Sequence, residues 1–485
     1  MFYVSTRGGA QPVRSTRAVL EGIAPDGGLY MPEKMPQADW KHIISLPVLQ
    51  MAEEIFRIFL PDFADIPGIV RRAYTGKFET EDLTPLVKVG DRYVLELFRG
   101  PTSAFKDVAL SALPQLMVAA RRQEDLTDNV MILTATSGDT GKAALCGFQD
   151  VEGIGIIVFY PDCGVSAVQK AQMVTQEGEN VCVCAVKGNF DDAQTGVKKI
   201  FAAAEKENLL SGKKTVLSSA NSINIGRLVP QIIYYFKAYS ELVKQKQIKV
   251  GDFVDFTVPT GNFGNILAGF LAKSLGLPVR RLLCASNANN VLTDFIQTGR
   301  YDRNRPFYKT ASPSMDILVS SNLERLLYLL SGCDGNLTAE KMQSLNETGA
   351  YEISGELLQK VQQTFLAGCC DDEKTAETIG MVWKKYGYLC DTHTAVAFRV
   401  SEELDDGACP NVVLSTASPY KFPASVVKGL GETPLEDEFA VMEQLQALTG
   451  VPVPKNLQGL NEKTTRHTDV VAADEMLNYV LKAVK

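Results

Sequence analysis

The sequence predicts an α/β fold with mostly parallel sheets. Short apolar runs recur along the chain, helical segments alternate with them, and each run ends near Gly, Pro, Asn or Ser. Strands are expected at 130–136, 156–160, 181–186, 253–259, 281–285 and 412–415, each β-branched or apolar. Helices are expected at 107–123, 143–149, 167–176, 191–207, 228–246 and 266–275. Pro114 lies inside the first of these, which predicts a kink or a late start.

At 485 residues the chain exceeds one typical domain. Three units are expected: a Gly- and Pro-rich N-terminal unit over 1–95, a small α/β unit over 96–235 and a large one over 236–485. The stretch 301–386 is polar, helical and strand-poor, and reads as an elaboration on the large unit. A net charge of −8, with no long run of either sign, predicts neither a nucleic-acid nor a polybasic membrane surface. An anionic substrate would therefore be held by local cations and backbone amides. Ten cysteines form no CxxC pair, and His42, His393 and His467 are the only histidines, so no metal site is expected. Reduced cysteines fit a cytoplasmic location, and no apolar run reaches the ~18 residues of a membrane span. The start is rich in Arg and Ser, with no acidic residue before Glu21, which mimics a transit peptide. Fold-like sequence nevertheless begins by Ser5.

Several strand-to-helix junctions carry unusual loops, the places where parallel sheets bind ligands. Gly261-Asn262-Phe263-Gly264-Asn265 follows one strand and precedes an apolar helix. Its glycines permit close backbone approach and its amides can cradle a phosphate; the alternative is a plain Gly-rich turn. Ser137-Gly138-Asp139-Thr140 lies in a stretch that fails as a P-loop: Thr136 stands where the first glycine belongs and Ala143 where a Ser or Thr belongs. That loop either holds a carboxylate or is capped by Ser137 or Thr140. Lys106 sits among Ala104, Phe105, Val108, Ala109 and Leu110, an apolar setting that depresses an amine pKa as a Schiff-base lysine requires. The alternative is an ordinary salt-bridged lysine. Hydroxyls in 415–418 either face a heterocycle or finish a turn. Asn221 and Arg227 bracket a segment suited to gripping phosphate oxygens.

Taken in order, GPTSAFKD, TSGDTGKAA, NSINIGR, PTGNFGNILAG, ASNANNVLTDF, PSMDI, THTAVA and STASPYKF resemble the long-form threonine synthases. The opening STRG and LEGIAPDGGLYMPE are also similar to that family, so the resemblance covers about 5–422. It implies the fold-type-II architecture of pyridoxal 5'-phosphate enzymes, tryptophan synthase β-like, with two α/β domains, a small N-terminal domain and a helical insert.

By position in GPTSAFKD, Lys106 matches the lysine that binds pyridoxal phosphate and serves as general base. Gly261 to Asn265 match the cup for the cofactor phosphate, and Thr416 the hydroxyl facing the pyridine nitrogen. Ser137, Gly138, Asp139 and Thr140 match the substrate-carboxylate loop, and Asn221 and Arg227 the grip on the substrate phosphate. Many fold-type-II relatives carry Asn in place of Asp139, whereas Asp is usual in the long-form synthases. Relatives often have His, Ala and Pro where this chain has Ser418, Tyr420 and Thr392, so no catalytic role is expected of those three, and His393 is expected to pack or orient. The implied reaction is a β,γ-replacement on O-phospho-L-homoserine, in which phosphate leaves Cγ and water adds at Cβ. A monomer or homodimer is expected. Rival readings are a serine or threonine dehydratase, which needs no grip from Arg227, and a non-catalytic binding protein.

Overall fold

The computed structural model describes residues 1–484 except 137, 163–164, 189, 207–208 and 210–211. Two mainly parallel sheets organise the chain. The smaller one runs Asp469–Ala472, Val181–Lys187, Ile154–Pro161, Asn129–Ala135, Thr215–Ser218, all parallel. The larger one runs Phe365–Cys369, Val279–Ser286, Val254–Pro259, Asn411–Ser415, Arg92–Glu96, with Leu86–Val89 added antiparallel at its edge. An antiparallel sheet of Val13–Arg14, Phe2–Ser5 and Tyr30–Pro32 opens the fold. No helix among the described residues is long and apolar enough to cross a membrane.

All six expected strands form, within two residues of their expected limits. Every residue of Val254–Pro259 and of Asn411–Ser415 is buried. Central strands covered on both faces read as continuous apolar runs, which is why they are legible. The helices differ in instructive ways. The one expected at 143 begins at Asp139, and the one expected at 266 begins at Gly264, so both N-termini reach back into the loops. The one expected over 228–246 is broken at Val229–Gln231, where Pro230 supplies no N–H.

Helix Lys106–Gln123 neither starts late nor stops at Pro114. Proline leaves the Leu110 carbonyl without its helical donor. Gly147, on the neighbouring helix Asp139–Phe148, packs so close to that carbonyl that a Cβ there would overlap it. The two helices that begin at the site are thus locked together.

The sheets cut across the expected units. Arg92–Glu96 pairs with Asn411–Ser415 and straddles residue 95, so the larger sheet starts inside the stretch assigned to the N-terminal unit. The 301–386 stretch is mostly helix, but it also contributes Phe365–Cys369 to the edge of that sheet. Asp469–Ala472 returns to pair with Val181–Lys187. Strands at or beside a sheet's edge are recruited by backbone pairing with a distant partner, so short runs serve there.

One core joins the N-terminal helices, through Ile55, Phe56 and Phe59, to Leu113 and Leu116 and to Phe256 and Leu282 of the larger sheet. Each such buried side chain contributes roughly 1.5–3 kcal/mol. The N-terminal unit is therefore integral to the fold. Three strands of these sheets, ending at Ala135, Pro259 and Ser415, deliver their loops to one cavity of about 1330 Å³.

Candidate active site

Lys106 is the first residue of its helix, and the turn before it is tightly held. The Asp107 carboxylate accepts the Thr102 amide at 2.9 Å as well as the Thr102 hydroxyl. A Cβ at Gly100 would collide with Asp107, so this position needs glycine. Phe105 donates its amide to the Thr416 carbonyl at 2.8 Å, and Ser418 donates to the Ser103 carbonyl at 3.1 Å. The lysine turn is thereby stitched to the end of Asn411–Ser415. Lys106 is 8% exposed. Burial is the main influence on its amine, lowering the pKa to about 8; Asp139 opposes that shift, and Lys421 and Arg227 reinforce it.

Asp139 is also buried and lies 3.7 Å from Lys106 Nζ. Its carboxylate accepts from Lys421 Nζ at 2.7 Å, Gln169 Nε2 at 2.9 Å and Ser314 Oγ at 3.2 Å. Burial alone would raise its pKa, but Lys421 and then Lys106 pull it well below the usual carboxylate range. The side chain of Asp139 is thus committed to cations of the protein. Gly138 has φ +132°, and Gln169 occupies the space a side chain would need. Thr136, rather than Thr140, satisfies the start of this helix, accepting the amides of Gly138 at 2.9 Å and Gly141 at 2.8 Å. Ser137 lies outside the described residues. Thr140 lines the cavity.

Gly261, Asn262, Phe263, Gly264 and Asn265 all line it too. Phe263 adopts φ +61°, a left-handed conformation, while its ring packs 5.5 Å from that of Phe365. Such a conformation costs on the order of 1 kcal/mol or more and persists only where packing enforces it. Ser320 Oγ donates to the Gly261 carbonyl at 2.8 Å and Asn322 Nδ2 to the Asn262 carbonyl at 3.0 Å. Helix Gly264–Ser274 has no side-chain cap, so its first-turn amides remain available to an anion. The buried Nδ2 of Asn265 has no partner among the described residues.

These features fit pyridoxal phosphate: an uncapped helix start for its phosphate, an orphaned amide donor beside it, and a buried amine for its aldehyde. A Cβ at Gly264 would meet nothing closer than 3.5 Å, so Gly264→Val should fold while its methyls fill the cradle. Cofactor affinity, measured by absorbance titration, is expected to fall about tenfold or more, the loss of one or two charge-assisted bonds. Unchanged affinity in the folded variant would take this loop out of the cofactor site.

Asn221 and Arg227 line the same cavity, as does Thr416. Arg227 sits on the short helix Ile225–Leu228, whose first turn is capped by Asn224 Oδ1 accepting the Gly226 amide at 2.8 Å. Arg227 Nη1 donates to the Ala220 carbonyl at 2.8 Å, and its buried Nε has no partner among the described residues.

His393, expected to pack or orient, holds a neighbouring loop. Its Nδ1 lies 2.7 Å from Asp391 Oδ2, and its Nε2 accepts the Ser314 amide at 3.1 Å. That bond holds the Ser314 loop against the cavity, with the Asp391 carboxylate fixing the orientation of the ring. Ser418 caps the turn Pro419–Lys421 through the Tyr420 amide at 3.3 Å, and the Tyr420 hydroxyl donates to the Val451 carbonyl. Sequence reasoning missed Lys421, Gln169 and Ser314. Lys421 could have been noticed, because Tyr420 and Phe422 flank it as apolar residues flank Lys106.

Comparison with known proteins agrees with this architecture. The family model for the threonine synthase N terminus matches residues 2–74, that for pyridoxal-phosphate dependent enzymes 78–415, and that for the threonine synthase C-terminal region 394–480. The chain is 41% identical over 433 residues to threonine synthase-like 1 of Homo sapiens, covering 86% of this chain and 58% of that one. It therefore spans less than two thirds of that relative's length. It is 40% identical over 445 residues to threonine synthase of Pseudomonas aeruginosa, covering 90% of this chain and 92% of that one. The crystal structure of pyridoxal-phosphate-bound threonine synthase from Brucella melitensis matches with a TM-score of 0.87 and 37% identity, covering 100% of both chains. The fold-type-II architecture and the pyridoxal-phosphate cofactor implied by the motifs are thus those of its relatives, and the chain belongs to the threonine synthase family of pyridoxal-phosphate-dependent enzymes.

Proposed function

We propose that the protein converts O-phospho-L-homoserine and water to L-threonine and inorganic phosphate. Arg227 carries this reading. It is a guanidinium only 3% exposed, with no carboxylate beside it among the described residues. Burial lowers its pKa to about 10, against which only the Tyr234 phenol acts, so it stays charged at neutral pH. A buried charge requires a partner. Nη1 is spent on Ala220, which leaves the Nε–Nη2 edge, the same edge with which Arg7 grips Glu324 at 2.9 Å twice. A dianionic phosphate suits that edge, with Asn221 as a further donor.

When bound, pyridoxal phosphate supplies the electron sink for carbanions at Cα and Cβ of the amino acid. Lys106 Nζ anchors the cofactor and then, as a neutral amine, removes the Cα proton. The Asp139 carboxylate 3.7 Å away steadies the ammonium that results. Thr140, with Ser137 by position in the same loop, offers its amide and hydroxyl to the substrate carboxylate, and Gly138 shapes the turn between them. Gly261 to Asn265 hold the cofactor phosphate, and Thr416 gives a hydroxyl to its ring nitrogen. Arg227 holds the leaving phosphate as the Cγ–O bond breaks, and water adds its hydroxyl at Cβ.

The test is turnover of O-phosphohomoserine in ¹⁸O-water. Threonine and phosphate are expected in equal amounts, with the label in the threonine hydroxyl and none in the phosphate. Label in phosphate with homoserine as co-product would mean P–O cleavage and overturn the reading. Turnover confined to serine or threonine would favour a dehydratase. No turnover by cofactor-loaded protein would favour the non-catalytic reading.

A further inference from the structure

A second buried lysine lies at the site, and the proposed reaction does not employ it. Lys421 is fully buried, at the end of the turn Pro419–Lys421 that follows Thr416. That turn is pinned by the Ser418 cap, by the Lys421 amide donating to the Ser418 carbonyl at 3.0 Å, and by the Tyr420 hydroxyl on Val451. The Lys421 ammonium donates to Asp139 Oδ1 at 2.7 Å and to the Thr102 carbonyl at 3.3 Å. The other oxygen of the same carboxylate faces Lys106 Nζ at 3.7 Å. One buried carboxylate is therefore shared by two lysines.

We propose that Lys421 is a positioning residue, the standing counter-ion of Asp139, which keeps that carboxylate from trapping Lys106 as an ammonium. The inference rests on Lys106 being the cofactor lysine. A buried carboxylate must be paired, and without Lys421 the nearest remaining cation is Lys106. An isolated buried ion pair would hold that lysine protonated, yet an amine that attacks an aldehyde, or removes a Cα proton, must be neutral. The charged groups facing Lys106 come from four elements: Asp107 on its own helix, Asp139 on the next, Arg227 on the short helix and Lys421 on the turn. Two acids raise its pKa and two cations lower it. Removing Lys421 tips that balance toward the charged form. It would also leave a net negative charge in the loop proposed to receive the substrate's carboxylate.

The experiment reads the amine directly. In the full-length chain stripped of cofactor, trace acylation against pH, followed by mass spectrometry of the Lys106 peptide, gives its pKa. Stopped-flow absorbance gives the rate of pyridoxal phosphate association at pH 7. Lys421→Met is expected to raise the Lys106 pKa by at least about one unit and to slow association roughly tenfold, because the neutral fraction falls by that factor. The double variant Asp139→Asn/Lys421→Met loses the carboxylate that lies 3.7 Å from the amine along with its counter-ion, and should associate nearly as fast as the parent. Should the methionine variant fail to fold, Lys421→Gln, which keeps a donor to Asp139 without the charge, must show the same rise. An unchanged Lys106 pKa in the folded single variant, or equal slowing in the single and double variants, overturns the proposal. Failure of the underlying reading looks different: the parent protein would then carry the cofactor on a lysine other than Lys106.

Discussion

Lys106→Ala should leave a folded protein that binds pyridoxal phosphate only reversibly and lacks the visible absorption of a lysine-linked cofactor. The cradle from Gly261 to Asn265 is untouched by the change, so the phosphate contacts survive while the covalent tether is lost. Turnover is expected to drop by about 10²–10⁴-fold from loss of the general base alone, and further if the tether also orients the cofactor. Borohydride reduction followed by mass spectrometry checks it: the parent chain gains one reduced cofactor at Lys106 and the variant gains none. An adduct on Lys421 in the parent chain would reassign the cofactor lysine, since both amines approach the same carboxylate. The pH dependence has a definite sign. The amine of Lys106 is lowered from 10.5 to about 8, so its neutral fraction grows as pH rises through that value. Cofactor association should accelerate up to about pH 8 and level off above it.

Arg227→Lys should lower kcat/KM for O-phosphohomoserine about ten- to a hundredfold while slow reactions on serine change little. Charge-assisted bonds to phosphate are worth roughly 1.5–3 kcal/mol each, and lysine keeps the charge but loses the two-pronged edge. Because phosphate is expelled in the reaction, part of the loss should fall on kcat as well as on KM. Arg227 also holds the Ala220 carbonyl, so the substitution has a structural side that a thermal melt will register. Equal losses on the phosphorylated and unphosphorylated substrates would show that this structural side is the whole effect, and would remove Arg227 from the substrate site.

What was legible in the sequence is what neighbouring residues decide among themselves. The apolar run at 254–259 and the glycines of the following loop mark a strand ending in a cradle wherever that strand comes to lie. The apolar flank of Lys106 marks a depressed amine in the same way. Motif order then selected a family, and with it a cofactor. The edge strands Phe365–Cys369 and Asp469–Ala472, and Arg92–Glu96 next to the edge, were not legible, because backbone pairing with a distant partner makes them strands. Pro114 predicted a kink or a late start by a local rule, yet the helix already begins at Lys106 and runs through the proline, where Gly147 packs against the carbonyl that proline leaves free.

At the site the division is sharper. The sequence determined which residues could carry charge, donate hydrogen bonds or open the backbone to a ligand. Only the tertiary structure decided which charges meet. Asp139 reads as part of a substrate loop, but its carboxylate is already held by Lys421. His393 reads as packing or orienting, and only the fold shows what it orients: its Nε2 steadies the Ser314 loop over the cavity. Arg227 reads as a phosphate grip, and what the fold adds is burial without an acidic partner among the described residues. Coulomb and desolvation energies depend on distances in space and on exclusion of water, and neither is a property of sequence neighbours.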